Sequence, residues 1–208
     1  SEVMYNIISN GIGAAEGSIQ KTSQAMGFYA DDGSRNIKVW NNTIINITEF
    51  GVLLHNSNNC DIQFNTIHNT WQGIRLYDDS LHPNNCVNNI IKNNTVVGFN
   101  TKPNSQIISM QGGVEMKTQN TINNNRYIQP YGNSSMATYY FAADDFDTSN
   151  SFATWKTLWN GYDANSVFGS PISLTTENAD DYIKLEYNET KNHKVITLTD
   201  SYVDVNGN

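Results

Sequence analysis

One five-residue phrase, Asn-x-Ile-x-Asn, constrains what this chain can fold into more than any other feature. It begins at residues 6, 42, 65, 89 and 120, at intervals of 36, 23, 24 and 31 residues. A period in the twenties marks a solenoid, in which each repeat is one supersecondary unit that buries its apolar side only by stacking on its neighbours. The two longer intervals read as the same coil carrying an inserted loop.

The residues inside a repeat point to β-structure. Glycine follows the phrases, as Gly27, Gly51, Gly73 and Gly98, and the next residues alternate: Gly27-Phe28-Tyr29-Ala30-Asp31, Gly51-Val52-Leu53-Leu54-His55 and Gly73-Ile74-Arg75-Leu76-Tyr77. Successive strand side chains face opposite ways, so Phe28/Ala30, Val52/Leu54 and Ile74/Leu76 point inward. A second alternation precedes the phrase, as Ile37-x-Val39 and Cys60-x-Ile62. Asparagine tolerates left-handed backbone at tight corners, and its amide both donates and accepts. Stacked at one corner, Asn42, Asn65 and Asn89 are the expected rungs of a hydrogen-bonded ladder.

This pattern, over roughly residues 5–125, resembles the right-handed parallel β-helix, or pectate-lyase-like, superfamily. The fold expected is all-β: a right-handed parallel β-helix of about five coils, a short capping helix and the start of a small C-terminal β-sandwich. The expected boundaries are 1–130 for the coils, 131–170 for the capping segment and 171–208 for a β-hairpin of a partial C-terminal domain. Ile107, Ile108, Met110, Val114 and Met116 are expected to face inward in the longer fourth coil. Phe152, Trp155, Leu158 and Trp159 recur at helical spacing, with Ser151 placed to cap the start. Beyond them Ile183/Leu185/Tyr187 alternate again, and Val195–Leu198 follow a polar turn.

Composition narrows the partners. The net charge of −8 and pI near 4.8 argue against nucleic acid or an anionic membrane. The absence of an 18-residue apolar run argues against a membrane-spanning helix. Two cysteines, Cys60 and Cys86, are too few for a disulfide framework and read as buried thiols. A start at Ser1 without a basic and apolar leader reads as part of a longer protein, expected outside the cell or on its surface.

Because the repeat sets the register, it also sets which outward side chains are neighbours. Counted from each glycine, one outward column holds Tyr29, Leu53, Arg75 and Asn100, and the next holds Asp31, His55, Tyr77 and Lys102. Asp32 and Asp78 flank that second column, with Asp79 beyond. In elimination from a uronic acid, Arg75 or Lys102 would neutralise the carboxylate, and His55 or Tyr77 would move the protons. In hydrolysis, Asp31 and Asp78 would flank the bond. The candidate catalytic residues are therefore Asp31, His55, Arg75, Tyr77 and Asp78; Tyr29, Asp32 and Lys102 would bind substrate. The resemblance implies a polysaccharide partner and a lyase or hydrolase. No cofactor is required, although paired aspartates would suit Ca²⁺. The alternative is a non-catalytic surface, structural or adhesin module, in which outward ionisable groups form a solvated face; the fold hosts both.

Overall fold

The computed structural model describes residues 1–14, 16, 24–79, 86–98, 106–130, 137–141, 146–157, 161–169, 181–188 and 190–204. Three parallel ladders wind around one core. The first is built from Glu2–Met4, Lys38–Trp40, Asp61–Gln63, Ile90–Lys92 and Thr121–Asn123. The second joins Ile7–Ser9, the first halves of Thr43–His55 and Thr66–Tyr77, then Thr95–Gly98, Arg126–Ile128 and Val167–Gly169. The third joins Met26–Ala30, the second halves of the same two long strands, Gln106–Gly112 and Ala137–Phe141. Phe146–Asn150 then closes this ladder antiparallel. This is the right-handed parallel β-helix expected, and its rungs at 137–141 and 167–169 carry the ladders past residue 130.

Parallel stacking in register brings like residues together inside. Val39, Ile62, Ile91 and Ile122 line one wall, Ile44, Ile67, Val96 and Tyr127 the second, and Val52, Ile74, Ile108 and Ala137 the third. All are buried, and each large aliphatic contributes about 2 kcal/mol on leaving water. Gly51 is required by closeness: a Cβ there would sit 2.6 Å from the carbonyl oxygen of Gly73 on the next coil, and Gly27 meets Gly51 in the same way. Ile107, Ile108, Met110 and Met116 are buried as expected, but Val114 is exposed in the turn before the short Met116–Gln119 helix.

The corners account for the asparagines. Asn36, Asn59 and Asn88 turn one corner, Tyr5, Asn41, Phe64, Asn93 and Asn124 the second, and Asn10, Asn46 and Asn69 the third, all at φ between 53° and 59°. Asparagine bears this left-handed geometry at less cost than other non-glycine residues. Inside the second corner runs a buried ladder. The backbone N–H and the Nδ2 of Asn42 both donate to Asn65 Oδ1 at 3.0 Å, and Asn65 donates likewise to Asn94 Oδ1. Asn6 feeds into Asn42, and Asn94 into Asn125. The Nδ2 groups of Asn42, Asn65, Asn94 and Asn125 also reach a carbonyl of the preceding coil, as Asn65 does to Val39 O at 2.7 Å.

Asn89 is not a rung of this ladder. Its phrase stands in register with Asp61–Gln63 on the first face, and with Asn120 it forms a second ladder that receives the Cys60 N–H. The phrases at 6, 42 and 65 thus lie on one face, and those at 89 and 120 on another.

The last coil ends the ladder with different chemistry. Asn125 donates its N–H to Ser166 Oγ and its amide to Asp163, which also accepts from Tyr127 Oη and from Trp155 Nε1 at 2.7 Å. Burial holds the Asp163 carboxyl above its usual range despite those donors. Trp155 belongs to the capping helix Phe152–Thr157, whose Thr154 N–H bonds to Ser151 Oγ as the sequence predicts. Leu158 and Trp159 lie outside the described residues. Cys60 and Cys86 are buried and free.

Among the described residues of 181–204 no strand forms. A polar turn is present, with Asn188 Oδ1 accepting from Thr190 and Lys194 paired with Glu186 at 2.7 Å. The half-buried side of the alternation, Ile183, Leu185 and Tyr187, faces the solenoid wall at Ile45, Asn46, His68 and Asn69 across a cavity of about 240 Å³. The β-hairpin expected for this segment does not form among these residues; an isolated hairpin without a packed second layer is marginal in water.

Asn65→Ala removes the acceptor for two buried donors and the donor to two acceptors. It is expected to lower stability by about 3 kcal/mol, read from urea unfolding. A loss below about 1 kcal/mol would contradict the ladder's structural role.

Candidate functional site

The third face ends in a corner where alternation turns the last strand residue outward. His55 pairs with Tyr77, and Tyr77 with Gln111, so these three stand in one column continued by Asp31. The imidazole of His55 stacks on the Tyr77 ring at 4.8 Å between centroids and 7° between planes, and more loosely on Tyr29 at 6.3 Å. Asp31 Oδ1 lies 3.1 Å from His55 Nδ1, as the 24-residue interval predicts. Tyr29 Oη donates to Asp31 Oδ1 at 2.7 Å and stands 3.1 Å from the same imidazole nitrogen.

Three further groups complete the cluster. Asp32 Oδ1 is 3.6 Å from His55 Nδ1, and Asp79 Oδ2 is 3.4 Å from Nε2 on the opposite edge of the ring. Fully buried Asn56 sends its one amide group to both carboxylates, to Asp32 Oδ1 at 2.7 Å and to Asp79 Oδ1 at 2.9 Å. Its Oδ1 accepts the Asp79 backbone N–H. The ligand atoms of Asp31, Asp32 and His55 lie within 4.8 Å of one another.

The expected site residues part company here. Tyr29, Asp31, Asp32, His55 and Tyr77 come together. Asp78 does not: it stands in register with Asn56, both turn inward after their outward neighbours, and Asp78 is buried beneath Gly112. The carboxylate at the ring is that of Asp79, one residue on. Arg75 lies along the neighbouring column, with its guanidinium over the Tyr77 ring at 5.0 Å and bonded to Gln111 Oε1 at 2.7 Å. Lys102 and Asn100 lie outside the described residues. The fourth-coil places expected for them are taken by Gln111 and Ser109, because Gly98 pairs with Thr70 on the second face and the third-face strand starts only at Gln106. Asn56 carried no signal of its own, although it recurs 24 residues after Asp32, as His55 does after Asp31. Trp40 and Trp71 are partly exposed and lie outside the cluster, and Trp155 is core.

The electrostatics follow from the contacts. The Tyr29 hydroxyl, then the Asp32 backbone N–H, hold the Asp31 carboxyl below its usual range. Partial burial and the hydrogen bond to Asp31 push the Tyr29 phenol well above its own. An imidazole nitrogen with two carboxylate oxygens is a donor set for a transition metal. Calcium, which takes oxygen ligands, is not favoured by it.

Fold and cluster together define a right-handed parallel β-helix module with one ionisable corner. Among the described residues no helix is long and apolar enough to cross a membrane. The chain belongs to the family described as "Periplasmic copper-binding protein (NosD)", which matches residues 9–145, a stretch that contains the whole cluster. No curated protein and no solved structure matches it significantly.

Asp31 has a lower pKa folded than unfolded, so its contribution to stability is present above the ordinary value of 3.8 and is lost as pH falls through the folded value. Tyr29→Phe is expected to return the Asp31 pKa toward that ordinary value in an NMR carboxyl titration. An unchanged value would contradict the Tyr29 hydrogen bond as its main cause.

Proposed function

We propose that this chain is a non-catalytic, extracytoplasmic β-helix module that holds one copper(II) ion at Asp31, Asp32 and His55. The carrying observation is that three donor atoms of suitable type, from two consecutive coils, lie within 4.8 Å of one another. The family's description as periplasmic and copper-binding supports both the ion and the compartment. Imidazole and carboxylate suit copper(II), which heads the affinity order of the divalent ions at such sites. The geometry also calls for a cation. Three carboxylates face the one imidazole, Asp31 and Asp32 at Nδ1 and Asp79 at Nε2, an excess of negative charge that a shared cation relieves. The cysteines are unsuited: burial pushes the Cys86 thiol up to about 12, and thiols bind metals as thiolates.

A second reading, the pectate-lyase-like one, keeps the same face for a polysaccharide. It draws on the surface-open hydrogen bonds among Tyr29, Asp31 and His55, which suit proton transfer to and from a sugar chain. The fixed engagement of Arg75 with Gln111 and the burial of Asp78 make that reading the poorer fit to the full set of roles.

Titration of the full chain with copper(II), followed by calorimetry, is expected to give one site per chain. His55→Ala should lose affinity by more than the roughly 10–100-fold cost of removing an outer partner. Wild-type affinity in that variant would overturn the site. Unsaturated products or new reducing ends from polysaccharides, without copper binding, would favour the enzyme.

A further inference from the structure

Resting on the copper reading, we infer that Asp79 and Asn56 are positioning residues that present His55 to the ion through Nδ1. A neutral imidazole carries one N–H, and the partner of the other nitrogen selects which nitrogen is free to ligate. At His55 the two edges differ. Nδ1 faces Asp31, Asp32 and Tyr29, while Nε2 faces Asp79 Oδ2 at 3.4 Å and the Asn56 amide nitrogen at 3.3 Å. An ionised carboxylate only accepts, so when an ion displaces the proton that Nδ1 shares with Asp31, Asp79 is placed to hold the remaining N–H at Nε2, and Nδ1 is presented on the side of the other two ligands.

Asn56 makes that assignment rigid. Its side chain is fully buried, and its amide has two N–H groups, one for each carboxylate. One bond steadies the ligand Asp32 and the other steadies the orienting Asp79. Its carbonyl oxygen accepts the Asp79 N–H, which fixes the backbone from which that carboxylate projects. Its own N–H bonds to Tyr77 O, whose ring stacks on the imidazole. Asp32, Asn56 and Asp79 thus hold the ring from three successive coils, and this orientation exists only where the coils stack in register.

The test uses the full chain as wild type, Asp79→Ala, Asp79→Asn and Asn56→Ala, with copper(II) as the probe. Affinity is read by calorimetry, and the remote imidazole nitrogen by electron spin-echo modulation, whose quadrupole coupling reports hydrogen bonding at that nitrogen. Asp79→Ala is expected to weaken binding about 10–100-fold and to change the remote-nitrogen coupling, in a chain that remains folded at the temperature of the titration. Asp79→Asn, which keeps an acceptor, should recover part of both. Asn56→Ala should act in the same direction, and Asp79, partly open to solvent, carries the test if that variant fails to fold. Wild-type affinity and coupling in Asp79→Ala overturn the inference while the copper reading stands. No copper bound by the wild-type chain overturns both.

Discussion

The structure depends on one interaction repeated along its length: a buried asparagine oxygen that accepts the backbone N–H and the side-chain N–H of the residue one coil away. From Asn6 through Asn42, Asn65 and Asn94 to Asn125, this bond ties each corner to the next. An apolar wall alone would tolerate a coil that slipped by two residues, which keeps each side chain on its own face and sets one aliphatic against another. The ladder does not, because such a slip takes each asparagine off its partner and buries unpaired amide groups at about 1–3 kcal/mol each. Polar specificity at the corner therefore sets the register that the apolar interior fills. Asp163 closes the series, replacing the missing next rung with a carboxylate that accepts from Asn125, Tyr127 and Trp155.

Register is also what makes a site out of distant residues. Asp31, His55 and Asp79 come from three coils and meet because each follows the same strand to the same corner. In the proposed site the cluster's two edges differ: Asp31 and Asp32 offer oxygens beside Nδ1, and Asp79 faces Nε2. A rigid wall suits metal binding, since little chain entropy remains to be lost when the ligands are already close. The same rigidity keeps Arg75 bound to Gln111, out of the role that a sugar carboxylate would ask of it.

Much of this was legible in the sequence. The period, the inward alternation at Val52/Leu54 and Ile74/Leu76, and the pairing of Asp31 with His55 follow from spacing alone, because parallel stacking converts sequence interval into proximity. Three features did not follow, each for a physical reason. Asn89 carries the same phrase as Asn65 but occupies another corner, since both corners need left-handed backbone and a buried amide and so select the same residues. Gly98 resembles Gly73 yet pairs with Thr70, and only the strand at Gln106–Gly112 resumes the third face. Asp78 and Asp79 are adjacent and chemically identical, and only the inward turn shared with Asn56 separates the buried one from the one at the ring. The alternation at Ile183, Leu185 and Tyr187 was read as a β-hairpin, yet no strand forms among the described residues of 181–204, because a periodic pattern does not itself supply a partner strand.

The central claim is that coil stacking assembles a copper site at this corner. The most direct measurement is anomalous diffraction at the copper edge from crystals of the copper-loaded protein. The account predicts one strong peak within bonding distance of His55 Nδ1 and carboxylate oxygens of Asp31 and Asp32. A peak at His68 or His193 instead, or none beside His55 in a protein that holds its ladder, would contradict it.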